Sequence, residues 1–249
     1  MRDNDAGWAT VEICGKAADI FTPPRGTSCE RAVLFLHGAS GHTIRDDPVF
    51  TAELSRCGLP TVCPHGGRSW WLDRVSREFD ATASPIAFVR EQIVPWIHER
   101  WGVAPPAIGL LGISMGGQGA LQLAYRHPRE FPVVAAISPA VDFHILWGQG
   151  TPLDELFDRP EAARQQTATL HLHPLNWPRH QLIVCDPADR AWYEGAERLA
   201  SKLSSMGIPF ESDLETSAGG HSWEYFRSTA GRCVSFLSER LAADGPAGR

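Results

Sequence analysis

Residues 8–14 (Trp-Ala-Thr-Val-Glu-Ile-Cys) alternate apolar and polar, the period of a strand with one face covered. Residues 17–21 are placed to return beside them as an edge hairpin, which the loop Thr22-Pro23-Pro24-Arg25-Gly26 ends. Beyond it the pattern changes. Residues 31–36 (Arg-Ala-Val-Leu-Phe-Leu), 107–113, 133–137 and 182–185 are nearly unbroken apolar runs, as in parallel strands buried on both faces. Thr61-Val62-Cys63 and the stretch from Pro209 to Leu214 add two more strands. Helical patterns fall between them: 48–57 after Asp46-Asp47, 85–101, a run of small residues ending near His127-Pro128, and 191–206. Ser84 suits the cap of the second helix, Pro85 its first position, and Pro95 predicts a kink within it.

The last helix spaces Trp223, Phe226, Ala230, Cys233, Val234, Leu237 and Leu241 at three- and four-residue steps, one apolar face. The tail from Ala243 to Arg249 is expected to fray. Between 142 and 178 the periodicity breaks, with prolines, tryptophans and histidines interleaved; this reads as a lid-like insertion over a site, within a single domain spanning 1–249. Strand and helix alternate elsewhere, the signature of an α/β fold with a mostly parallel sheet and helices on both faces.

Composition narrows the function. A formal net charge of −6, without any basic run, argues against nucleic acid as a partner. No segment has the length of a membrane span, and Met1-Arg2-Asp3-Asn4-Asp5 is unlike a secretory signal. The 6 cysteines are scattered with no Cys-x-x-Cys, which fits free thiols in a reducing cytoplasm. The expectation is a cytoplasmic protein acting on a small molecule.

The candidate chemistry begins at Gly112-Ile113-Ser114-Met115-Gly116, a Gly-x-Ser-x-Gly between a strand and a helix. The bare pentapeptide arises by chance in roughly one chain in ten of this length, so its context matters. A serine nucleophile needs a base, and the α/β-hydrolase chain order is Ser, then acid, then His. Asp189 follows the strand at 182–185, and His221 lies in the turn Ser217-Ala218-Gly219-Gly220-His221-Ser222-Trp223. Asp186 is the rival acid and Asp142 a third candidate; Asp189 is preferred for its longer reach past the strand.

The loop His37-Gly38-Ala39-Ser40-Gly41 ends a buried strand. An oxyanion hole would combine the backbone N–H of Met115 with that of Ala39, or alternatively Ser40, while His37 supports the loop. Trp70, Trp71, Phe143, Trp147 and Trp223 are candidates for an apolar substrate pocket. His171, His173 and His180 have no carboxylate or cysteine at ligand spacing, so neither a metal nor another cofactor is expected.

Together Leu36-His37-Gly38, Ser69-Trp70-Trp71-x-Asp73, Gly112 to Ala120, Cys185-x-x-x-Asp189 and Gly219-Gly220-His221-Ser222-Trp223 resemble the putative esterase family, the esterase D-like branch of the α/β-hydrolases. The resemblance spans positions 36 to 223 and implies the α/β-hydrolase fold and hydrolysis of carboxylic esters or thioesters, or transfer of acyl chains. It also supports Asp189 over Asp186. Glutathione thioester hydrolases of the family usually carry histidines beside the serine motif; Ile113 and Gln118 stand there instead. The expected activity is therefore a serine carboxylesterase. A thioesterase or acyltransferase with the same residues is the alternative, and a non-catalytic binding protein the other class.

Overall fold

Strand β1 (Gly7–Ile13) pairs antiparallel with β2 (Lys16–Thr22), from Gly7 opposite Thr22 to Ile13 opposite Lys16. The remaining strands are β3 (Ala32–Leu36), β4 (Thr61–Pro64), β5 (Ile108–Ile113), β6 (Val133–Ile137), β7 (His180–Val184) and β8 (Glu211–Asp213). They form one eight-stranded sheet in the order β1-β2-β4-β3-β5-β6-β7-β8. β2 runs antiparallel to β4, and every pairing from β4 to β8 is parallel. This computed structural model describes residues 6–24, 26 and 29–243. The N-terminal residues 1–5, Arg25 of the early loop and the tail 244–249, expected to fray, lie outside the described residues.

Helices α1 (Pro48–Cys57) and α8 (Trp223–Ala243) cover one face of the sheet. α2 (Pro85–Phe88), α3 (Val94–Trp101), α4 (Met115–Arg126) and α7 (Tyr193–Ser205) cover the other. Alternation along β3 shows the division: Ala32, Leu34 and Leu36 join one core, Val33 and Phe35 the other. Asp47 caps α1 by accepting the N–H groups of Val49 and Phe50. Ser84 caps α2 through Ala87 N–H. Between α2 and α3 lies a π-helical turn, Val89–Ile93, in which Val94 N–H reaches back to Val89 O. The expected disturbance at Pro95 takes this form, since proline has no N–H to donate and the wider turn resets the register just ahead of it.

The ladders align the strand ends that matter. Leu36 pairs with Gly112, Ile113 with Ile137, Ile137 with Val184 and Val184 with Asp213. The loops after β3, β5, β7 and β8 therefore leave one edge of the sheet, where open α/β sheets place ligands.

The 142–178 segment consists of short turns: Phe143–Leu146, α5 (Leu153–Leu156), α6 (Pro160–Arg164) and Ala168–Leu170. Arg126 at the end of α4 donates to Gln166 Oε1 and lies 2.9 Å from His171 Nε2. Phe143 is buried 5.2 Å from the Trp70 ring. The segment is thus anchored along α4 and against Trp70.

Candidate active site

Ser114 joins β5 to α4 with φ 57° and ψ −119°, a conformation that L-residues avoid. The strain is held by its neighbours: Ser114 N–H donates to Ile137 O at 2.9 Å, and Ser114 O accepts from Ala140 N–H at 3.0 Å and Gln118 N–H at 3.1 Å. The flanking glycines are required by contact. A Cβ on Gly112 would stand 2.1 Å from Gly116 O, and one on Gly116 1.9 Å from Leu36 O. The helix can start this close to two strands only where side chains are missing.

Ser114 Oγ lies 3.0 Å from His221 Nε2, and His221 Nδ1 lies 2.6 Å from Asp189 Oδ2. Asp189 Oδ1 accepts the N–H groups of Ala191 and Trp192, both at 3.1 Å. Burial works against the charged carboxyl. The His221 hydrogen bond and charge, with those two N–H groups, outweigh it and hold Asp189 below its ordinary value. An ionised carboxylate there fixes the Nδ1–H tautomer and leaves Nε2 to accept the serine proton. Phe226 closes the far side of the imidazole, edge to face at 5.3 Å. The Cys185 thiol, 3.9 Å from Asp189 Oδ2, is pushed up to about 12 by burial and by that carboxylate, so it stays protonated.

Asp186 has a different task. Its carboxylate accepts from Ala218 N–H at 2.6 Å, Gly220 N–H at 2.8 Å, Ser217 Oγ at 2.7 Å and Ala188 N–H at 2.7 Å. It pins the loop that carries His221. Asp142 instead pairs with Arg198 on α7.

His37 is 1% exposed, and burial with its neighbours lowers its pKa, so the ring stays neutral. Its Nε2 accepts Gly66 N–H at 2.9 Å, which leaves Nδ1–H to donate to Gly38 O at 2.7 Å. Gly41 N–H also takes Gly38 O. Because a trans peptide opposes its C=O and N–H, holding Gly38 O this way turns Ala39 N–H in the opposite direction. Met115 opens α4, and the first N–H groups of a helix have no intrahelical partner.

A cavity of about 330 Å³ surrounds Ser114. Its walls include Gly38, Ala39, Ser40, His221, Trp223 and Phe226. Of the five aromatic residues expected to line a pocket, only Trp223 does so. Trp70, Trp71 and Phe143 are 4%, 1% and 0% exposed and serve as core. Trp71 sits under the loop after β3, where its Nε1–H donates to His37 O at 3.0 Å. Its ring occupies the space that a side chain at Gly66 or Gly119 would need. Trp147 is half-buried and donates to Phe157 O, away from Ser114. The aromatic residue missed by sequence reasoning is Phe226, whose helical spacing marked it as core.

Among the described residues no cluster of three His, Cys, Asp or Glu is placed to hold a metal ion. His171 is engaged by Arg126, and His173 accepts Leu175 N–H. No described helix is long and apolar enough to cross a membrane.

The parallel sheet, the strained serine after β5 and the acid and histidine loops define an α/β-hydrolase. The profile of the family described as "Putative esterase" matches residues 56–230, and the chain belongs to that family. A diacylglycerol acyltransferase/mycolyltransferase Ag85C of Mycobacterium leprae is 29% identical over 91 residues, 34% of this chain and 27% of that protein. The chain thus spans about a quarter of that curated relative. Among solved structures, the Staphylococcus aureus fluorophosphonate-binding serine hydrolase F superposes with a TM-score of 0.77 at 14% identity, covering 94% of this chain and 99% of that one. An S-formylglutathione hydrolase from Agrobacterium tumefaciens gives 0.76 at 17% identity, covering 94% of each chain. At these identities the structures speak for the fold alone.

Proposed function

We propose that this protein is a serine carboxylesterase that cleaves a small or medium carboxylic ester through an acyl-enzyme on Ser114. The observation that supports it most is the hydrogen-bonded chain from Asp189 through His221 to Ser114, at 2.6 and 3.0 Å. Ser114 Oγ attacks the ester carbonyl while His221 Nε2 takes its proton, and Asp189 steadies the resulting imidazolium. Met115 N–H and Ala39 N–H receive the oxyanion. The C–O bond to the alcohol then breaks, and His221 returns the proton to the leaving oxygen. Water, deprotonated by His221, releases the acid in a second round. The described chain acts as one hydrolase unit, and the family membership agrees with ester chemistry. A cytoplasmic setting fits the buried thiols of Cys63, Cys185 and Cys233.

Acyl transfer is the second reading, favoured by the likeness to the mycobacterial acyltransferase/mycolyltransferase. Hydrolysis of p-nitrophenyl acetate, with Ser114→Ala as the control, tests the first. Turnover that the substitution abolishes is expected; equal turnover by both proteins, or none with a panel of oxyesters and thioesters, refutes it. Added glycerol that diverts the acyl group into a new ester in preference to water would favour transfer.

A further inference from the structure

We propose that Asp19, on β2, is a positioning residue for the oxyanion hole, its carboxylate bracing the loop that carries Ala39 against the turn after β4. The proposal rests on the esterase reading above and adds a residue to its machinery.

Asp19 lies opposite Thr10 on β1 and Cys63 on β4, and is 4% exposed. A carboxylate so covered is costly unless its lone pairs are used. Thr10 Oγ1 donates to Asp19 Oδ1 at 2.7 Å, and Thr43 Oγ1 to Oδ2 at 2.8 Å. His65 Nε2 lies 2.9 Å from Oδ2, and Arg45 Nη1 donates to Oδ1 at 3.2 Å. Burial works to raise the pKa of Asp19, but the hydrogen bonds of His65, Thr10 and Thr43 outweigh it and hold the carboxyl below its ordinary value. The group is an anion at neutral pH and accepts only, so Nε2 is the donor in the His65 pair.

These partners come from separate segments. Thr43 and Arg45 lie at the far end of the loop that starts at His37, and Ala39, Ser40 and His42 between them line the Ser114 cavity. The His37 ring and Gly41 N–H hold the near end through Gly38 O. Asp19 holds the far end through Thr43, whose hydroxyl also accepts Arg45 N–H at 3.2 Å. Its other partner, His65, precedes Gly66, whose N–H donates to His37 Nε2. One carboxylate therefore fixes Thr43 beyond Ala39 and the turn that orients His37 before it.

Attachment of the edge hairpin does not require this carboxylate. The β2–β4 backbone ladder runs from Ala18 opposite Pro64 to Phe21 opposite Thr61, whatever the side chain at Asp19. A loosened Ala39 N–H leaves ground-state binding intact and meets the oxyanion poorly, so the loss belongs in kcat rather than KM.

The test measures p-nitrophenyl acetate kinetics on the wild type, Thr43→Val, Thr43→Ser, Asp19→Asn and the Asp19→Asn/Thr43→Val double variant. All assays run below the melting transition recorded by circular dichroism. Thr43→Val keeps the side-chain shape and should lower kcat about tenfold, short of the roughly 10²-fold or more for deleting an oxyanion donor outright. KM should stay within about twofold. The Ki of 1,1,1-trifluoroacetone, whose hemiketal with Ser114 carries an oxyanion, should rise by the factor that kcat falls. Thr43→Ser restores the hydroxyl and should recover most of kcat. Asp19→Asn should lose at least as much as Thr43→Val, and the double variant no more than Asp19→Asn. If Asp19→Asn does not fold, the Thr43 pair decides alone. Wild-type kcat and Ki in Thr43→Val, a loss confined to KM, or a Thr43→Ser as impaired as Thr43→Val overturns the positioning role and leaves the esterase reading standing. If the wild type leaves p-nitrophenyl acetate and the panel of oxyesters and thioesters intact, both fall.

Discussion

Asp186 and Asp189 leave β7 on the same short loop, yet their carboxylates serve opposite ends of one hydrogen-bonded unit. Asp189 Oδ2 holds the His221 ring at 2.6 Å, while Asp186 holds the backbone of the loop beneath it through Ala218 and Gly220. Asp189→Asn should therefore cost about 10⁴-fold in kcat through loss of the tautomer, with little change in melting temperature. Asp186→Asn should do the reverse in emphasis, since its amide presents N–H groups to N–H donors. A fall in stability of about 1–3 kcal/mol and a smaller loss of kcat are expected. Kinetics with thermal melts on both variants checks the ranking; a larger kcat loss for Asp186→Asn contradicts it.

The glycines flanking Ser114 give a sharper steric prediction. Gly112→Ala and Gly116→Ala place a Cβ 2.1 and 1.9 Å from carbonyl oxygens that the sheet and helix cannot withdraw. Each should destabilise by more than about 4 kcal/mol, seen as loss of soluble protein or of the cooperative melt. Gly231→Ala on α8 is the control, because its nearest neighbour would be an ordinary 3.6 Å away. It should be neutral or stabilising by up to about 1 kcal/mol.

How legible these features were in the sequence depended on whether local pattern or distant contact decided them. The buried runs of β3, β5, β6 and β7 announce themselves because both faces of each strand are covered. Ser114 stands at the strand–helix turn that its glycines mark. The burial of Trp70 and Trp71 was not legible. A loop has no periodicity to separate inward from outward, and the space for Trp71 is made by Gly66 and by Gly119, 48 residues away in the chain. The 142–178 turns, three to five residues each, are too short for a hydrophobic period to show. Pro95 did mark a disturbance, but its resolution as a π-helical turn depends on how α2 and α3 continue to pack.

Trp71 also carries a prediction of its own. Trp71→Phe keeps an aromatic ring but removes the Nε1–H that His37 O accepts. The loop holding Ala39 then loses one of its supports. A destabilisation of about 1–3 kcal/mol and a drop in kcat with KM nearly unchanged are expected. Urea denaturation and steady-state kinetics on the same preparation check both; an unchanged kcat would remove His37 and Trp71 from the support of the oxyanion loop.

Acid should loosen the fold in two windows. Burial lowers the pKa of His37, and burial with Arg126 and Lys202 lowers that of His171 to about 4, against an ordinary 6.5. The folded state then binds fewer protons than the unfolded one. Their contribution is complete above pH 6.5 and declines as pH falls toward the folded values. The carboxyls of Asp186 and Asp189, lowered from 3.8, add a second loss below that pH. Urea midpoints at pH 7.5 and 5.0 should fall for the wild type and fall less for His171→Asn. Parallel losses in the two proteins would contradict a neutral, half-buried His171.

The central claim is that Ser114 is a nucleophile activated by His221. Incubating the folded protein with a fluorophosphonate and mapping the adduct by peptide mass spectrometry tests it directly. One stoichiometric adduct on Ser114, greatly slowed in His221→Ala, is the predicted result. A folded protein that remains unlabelled, or that labels at another residue with Ser114 intact, would contradict it.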